Sequence, residues 1–196
     1  LESAYFGGFY DDMVNLIRSV FESALKTNPS LEFGILTGCL RISRESIFTG
    51  LNNLAVYPMT ENLFSQYFGF TEEEVKGIVR FYNISNHFDE LKAWYDGYRF
   101  GEIEIYNPWS ILNYLLKAVT SKDVLPKPYW SNTSSNDIIH DLVVKGDNNI
   151  HYSIEKLLNN GTVTAPLYED ITFDVNSDYI WSFLLFTGYL KATRYF

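Results

Sequence analysis

The residues of this chain best placed to do chemistry lie in one short stretch, Leu36-Thr37-Gly38-Cys39-Leu40-Arg41-Ile42-Ser43-Arg44. The apolar run Phe33–Leu36 predicts a strand, and it stops abruptly at Thr37-Gly38. A small hydroxyl residue at the carboxyl end of a parallel strand faces the ligand crevice of an open α/β sheet. Arg41 and Arg44 follow within reach of that crevice, and a short apolar segment then ends in Asn52-Asn53. Hydroxyl, paired guanidinium groups and a sharp strand end together read as the lip of a nucleotide site.

The elements that must hold such a lip are legible around it. Met13, Leu16, Ile17, Val20, Phe21, Ala24 and Leu25 recur at three- and four-residue spacing, which predicts a helix with one apolar stripe. Asp11 and Asp12 begin it, and Asn28-Pro29 ends it. The strand at 33–36 is apolar on both faces, so it is expected to be buried on both. A helix feeding a buried strand is half of a βαβ unit, whose first strand is expected upstream of Leu1.

Further along, Thr71-Glu72-Glu73-Glu74 has the spacing of a capping box and opens a helix expected to run to about Tyr82. Phe88, Leu91 and Trp94 mark a second helix, with a turn expected at Asp96-Gly97. Arg99–Tyr106 alternates enough to predict a hairpin about Gly101-Glu102, and Asn107-Pro108 has the form of a helix start. Beyond the polar linker Ser121–Lys127, helices are expected near 134–144 and 151–159, a β-hairpin from Val163 to Phe173, and a last apolar helix from about Tyr179 to Phe186.

Ordered blocks of this chain carry a resemblance. Leu36-Thr37-Gly38 with Arg41-Ile42-Ser43, Ser46-Ile47-Phe48 and Gly50-Leu51-Asn52-Asn53 resembles the predicted AAA-ATPase-like family of bacteria and archaea. So do Gly69-Phe70-Thr71-Glu72-Glu73-Glu74-Val75, Trp94-Tyr95-Asp96-Gly97-Tyr98-Arg99-Phe100-Gly101, Tyr106-Asn107-Pro108-Trp109-Ser110 and Trp181–Leu190. The resemblance implies an α/β chain: the C-terminal part of a P-loop NTPase-like domain, followed by a mostly helical, winged-helix-like region. It divides the chain into residues 1–58 (the end of the α/β core), 59–120 (a helical lid) and 121–196 (the winged-helix-like region).

The same resemblance assigns roles. Thr37 would orient the attacking water near the γ-phosphate, or else serve only as a cap. Arg41 would stabilise charge in the phosphoryl transition state, with Arg44 beside it in nucleotide binding, or both arginines make surface ion pairs. Asn107 and Pro108 would approach the adenine, or Asn107 is an ordinary N-cap. ATP and magnesium are the cofactors implied for the parent protein.

The phosphate-binding loop of the family, G-x-x-x-x-G-K-[ST], has no match here, and neither does its strand ending in paired acids. Glu169-Asp170 follows only Pro166-Leu167-Tyr168. The chain is therefore expected to be a piece of a longer protein, to be inactive as an ATPase by itself, and to hold no cofactor tightly. Family members commonly continue into a restriction-endonuclease-like nuclease domain.

Composition limits the remaining classes. A formal charge of −9 and the acidic run Asp137-Ile138-Ile139-His140-Asp141 argue against nucleic-acid binding through this segment. His87, His140 and His151 lack neighbours at metal-ligand spacing, so no metal site is expected. Cys39, the one cysteine, is expected to be a small packed residue in a reducing, cytoplasmic setting. No apolar run reaches the roughly 20 residues of a membrane span. Aromatic residues make up 17% of the chain, and they leave room for a different class of function: a noncatalytic module for a protein partner or for self-association. Trp94-Tyr95-Asp96-Gly97-Tyr98 fits either an aromatic pocket or, as favoured here, a helix end whose rings fill the core.

Overall fold

A computed structural model of the chain describes residues 2–26, 28–42, 51, 54–121, 124–130, 143–144, 146–171 and 179–195, with the side chains of residues 2, 41, 42, 170 and 171 left aside. The architecture is mixed helix and small sheet, roughly half helical. Two compact units divide it: Leu1–Val56 with Asn136–Thr187, and Tyr57–Ser135 with Gly188–Phe196. Residues 59–120 fall wholly within the second, while 121–196 are shared between the two.

The first unit begins with α1 (Glu2–Phe6) and α2 (Tyr10–Phe21), the latter ending in a π-helical turn over Glu22–Lys26. Asp11 and Asp12 stand in the first turn of α2, where the helix dipole favours acids. Val14 is its buried residue, whereas Leu16 and Val20 of the apolar stripe lie exposed. The strand expected at 33–36 does not form. That stretch has no regular structure, with Phe33 78% and Ile35 73% exposed, because a strand exists only through the neighbours that take its N–H and C=O groups.

A two-residue strand, β1 (Arg41–Ile42), does form a little further on, parallel to β4 (Asp170–Ile171). That parallel pairing replaces the expected hairpin: residues 161–169 form no strand, and 172–173 lie outside the described residues. The helix expected near 151–159 is α6 (Asn148–Leu158). It starts three residues early because the Asp147 carboxylate accepts the Ile150 N–H at 2.9 Å and caps it. The helix expected near 134–144 lies mostly outside the described residues. The last helix, α7 (Ile180–Phe186), buries Ile180, Ser182, Phe183, Leu184 and Leu185. Ser182 Oγ accepts the Tyr168 N–H at 2.8 Å.

The second unit contains α3 (Glu72–Phe81), α4 (Phe88–Tyr95), the hairpin β2 (Asp96–Phe100) and β3 (Ile103–Tyr106), and α5 (Pro108–Ala118). The capping box is realised in full, with the Thr71 hydroxyl serving the Glu74 N–H and the Glu74 carboxylate returning to the Thr71 N–H at 2.8 Å. Val75, Val79, Ile84, Leu91, Tyr95, Tyr106, Ile111, Tyr114, Leu115 and Ala118 form one continuous core. Asp96-Gly97 does not turn the chain. The helix runs straight into β2, and Gly97 sits where the hairpin register slips, between the Asp96–Tyr106 and Tyr98–Ile105 pairs. Trp94 is exposed rather than in the core, while Tyr95 is buried and exchanges two 3.0 Å bonds with the backbone of Lys127. No helix among the described residues is long and apolar enough to cross a membrane.

Candidate functional site

Four of the sequence blocks meet on the hairpin of the second unit. The first, around Gly69-Phe70, joins the outer side of β3: Phe70 N–H donates to Tyr106 O at 3.1 Å, and Tyr106 N–H donates back at 2.8 Å. A side chain at position 69 would collide with Ile105 and with the Tyr106 carbonyl, so only glycine lets the two backbones come this close. Immediately after that junction the capping box starts α3.

The second and third blocks are the hairpin itself and the start of α5. Asn107 adopts extended backbone geometry, with Pro108 following in the first helical position. Its side chain works at both ends: Oδ1 accepts the Ser110 N–H at 2.9 Å, and Nδ2 donates to the Tyr98 hydroxyl at 3.3 Å. The N-cap is thereby pinned to β2. Beyond the cap, Trp109 Nε1–H donates to Tyr129 O at 3.1 Å.

The fourth block arrives from the far end of the chain. Gly188 has φ +85, and a Cβ there would stand 2.7 Å from a ring carbon of Tyr98. Past it, Lys191 Nζ lies 3.2 Å from Asp96 Oδ1, 3.2 Å from Glu104 Oε1 and 3.4 Å from the Asp96 carbonyl. Arg99 donates to Thr193 O at 2.7 Å, and the Tyr195 hydroxyl donates to Arg99 O at 3.3 Å. Residues 188–195 are therefore a strap laid across the hairpin.

Charge follows from burial. Desolvation raises the nearly buried Asp96 carboxyl above its ordinary value despite Lys191, whereas the half-exposed Glu104 is lowered by the same ammonium group. On the α3 side, Lys76 at 2.6 Å, together with Lys92, holds Glu72 down to about 2. Burial pushes Tyr95 up to about 12. Tyr114 is raised too. Its buried hydroxyl sits 2.7 Å from His87 Nδ1 and 3.0 Å from Glu90 Oε2, a network that ties α5 to α4.

These groups position the backbone; they do not form a nucleophile–base pair, and no metal-holding cluster occurs among the described residues. Of the residues singled out in the sequence, Asn107 and Pro108 are together at the start of α5, in the second unit. Thr37 is exposed in the irregular stretch before β1, and Arg41 contributes its backbone to β1, both in the first unit. Arg44 and Asn52-Asn53 lie outside the described residues. Cys39 is exposed rather than packed. Glu104 and Lys191 carried no signal in the sequence, while Tyr98 and Gly188 stood in separate motif blocks with nothing to show that they meet.

The chain is similar to the uncharacterized protein in vnfD 5'region of Azotobacter chroococcum mcd 1, with 27% identity over 129 residues, 66% of this chain. It spans about a quarter of that relative's length (24%). No family model matches the chain. No solved structure matches it.

Proposed function

We propose that this chain is the C-terminal part of an AAA-ATPase-like module, whose parent protein binds Mg-ATP in the cytoplasm and uses hydrolysis to drive a conformational change. The observation that carries this reading is the convergence in the second unit. Blocks dispersed between Gly69 and Lys191, most of them the blocks of the resemblance, form one hydrogen-bonded assembly around Tyr98 and Asn107.

In this reading Thr37 orients the attacking water, Arg41 neutralises developing charge and Arg44 helps hold the phosphates. The Asn107 amide is committed to Ser110 and Tyr98, so its part is to set the turn at the start of α5.

The test is magnesium-dependent ATP hydrolysis by a longer product of the same reading frame, extended upstream. Thr37→Ala and Arg41→Ala should each lower kcat by about 100-fold or more; rates within about twofold of the unsubstituted protein would sink the assignment. The 196-residue chain alone should show no such turnover, having no phosphate loop in its sequence. Activity that survives rigorous repurification would refute that.

A second reading, a noncatalytic interaction module, is favoured by one specific observation. The outer side of α5 is apolar and uncovered, with Trp109 58% and Leu116 73% exposed.

A further inference from the structure

We propose that residues 188–195 are a releasable latch: they leave the hairpin as one piece while it stays folded, and their docking steadies the start of α5. These residues form neither helix nor strand, and none of them is buried. The hairpin has support of its own, with Ile105 and Tyr106 buried and Phe70 bonded along β3. A segment that adds little buried apolar surface to an element already supported opens at a small fraction of the stability of the whole.

Charge supplies most of the hold. The strap carries Lys191 and Arg194 and no acid in a chain of −9, and it lies on a hairpin that carries Asp96, Glu102 and Glu104. An ammonium group has three N–H donors, and Lys191 has three acceptors there: Asp96 Oδ1, the Asp96 carbonyl and Glu104 Oε1. The side chains of Lys191 and Glu104 stay 32% and 48% exposed, so water and salt compete for the pair. Further grips are single contacts: the hydrogen bonds of Arg99 to Thr193 O and of Tyr195 to Arg99 O, and Tyr189 edge-on to Trp130 with ring centroids 5.9 Å apart. Gly188, at a φ of +85 that side chains rarely adopt, is the hinge ahead of them.

Docking reaches α5 through one side chain. Gly188 packs on the Tyr98 ring, the hydroxyl of that ring accepts from Asn107 Nδ2, and Asn107 Oδ1 in turn accepts the Ser110 N–H. With the strap away, Tyr98 loses its cover, Asn107 loses the partner that aims it, and the first turn of α5 frays. Neither the nucleotide reading nor the interaction reading is needed for this.

Trypsin tests the latch on the full chain, because its cleavage points in the strap follow Lys191 and Arg194. The rate at which the C-terminal peptides appear by mass spectrometry is divided by the rate for the free peptide of residues 188–196, which cancels any effect of salt on the protease. From about 10 mM to about 1 M NaCl the screening length falls from about 30 Å to about 3 Å, and the divided rate should rise at least about threefold. Glu104→Gln, at a half-exposed position, should raise it about as much at low salt and leave a smaller gap at high salt. In that variant the Ser110 amide should exchange its hydrogen faster by a similar factor, and at a rate above that of Leu115 inside α5. A strap cut as fast as the free peptide at low salt, a rate indifferent to salt and to Glu104→Gln, cleavage that begins only where the circular dichroism signal melts, or a Ser110 amide that does not respond would overturn the proposal.

Discussion

Replacing Asn107 with alanine isolates what the start of α5 depends on. The substitution deletes the acceptor for the Ser110 N–H, an N-cap contribution of about 1 kcal/mol. It also deletes the 3.3 Å bond to the Tyr98 hydroxyl, a long neutral bond worth about 0.5 kcal/mol, since water can reach the half-buried tyrosine. Together the loss is about 1.5 kcal/mol. If the chain unfolds in one cooperative step, Tm should fall by about 3–6 °C; if the second unit melts by itself, by about 6–12 °C. Thermal and urea melts followed by circular dichroism and tryptophan fluorescence give both numbers. Asn107→Asp is the control: it keeps the acceptor and places a negative charge at the helix N-terminus, so it should stay within about 0.5 kcal/mol of the natural chain. An aspartate variant as unstable as the alanine variant, or an alanine variant within about 0.3 kcal/mol of the natural chain, would refute the capping account and return the Asn107 side chain to the list of groups free to meet a ligand.

Two further outcomes test the strap and the charge pattern. Gly188→Ala should destabilise by about 1–2 kcal/mol in the same melts, because a Cβ would face Tyr98 at a φ that side chains rarely adopt; an unchanged midpoint would show that the strap does not pack there. Glu72 sits near 2, below its ordinary 4.5, so its contribution is complete above about pH 4.5 and is lost as pH falls toward 2. Urea midpoints measured across that window should fall less steeply for Glu72→Gln than for the natural chain, and equal slopes would dismiss the Lys76–Glu72–Lys92 cluster as a source of the acid sensitivity.

What the sequence made legible is what is decided within a few residues. Thr71 with Glu74, and Asn107 with Pro108, carry their partners inside one helical turn, and both helix starts stand where the spacing put them. The hairpin about Gly101 is local in the same sense. Phe33–Leu36 reads as a strand because its residues favour one, but a strand's hydrogen bonds belong to neighbours that no local pattern supplies. Asp96-Gly97 reads as a turn in isolation, and the bulge that Gly97 makes exists only by register with Tyr106. The candidate site divides along the same line. The Asn107 cap was visible, whereas its tie to Tyr98, and Lys191 on Asp96, depend on contacts made 9 and 95 residues away.

The strap over the hairpin also sets a clock. Lys191 leaves the ribosome 95 residues after the Asp96 it neutralises, an interval of about 5–20 s at ordinary rates of synthesis. Through that interval the newly made hairpin carries Asp96 and Glu104 side by side with no Lys191 between them, and Tyr98 has no Gly188 against its ring. The hairpin is thus made early and finished late, and a nascent chain stalled before residue 188 should leave that face open to whatever waits at the tunnel exit.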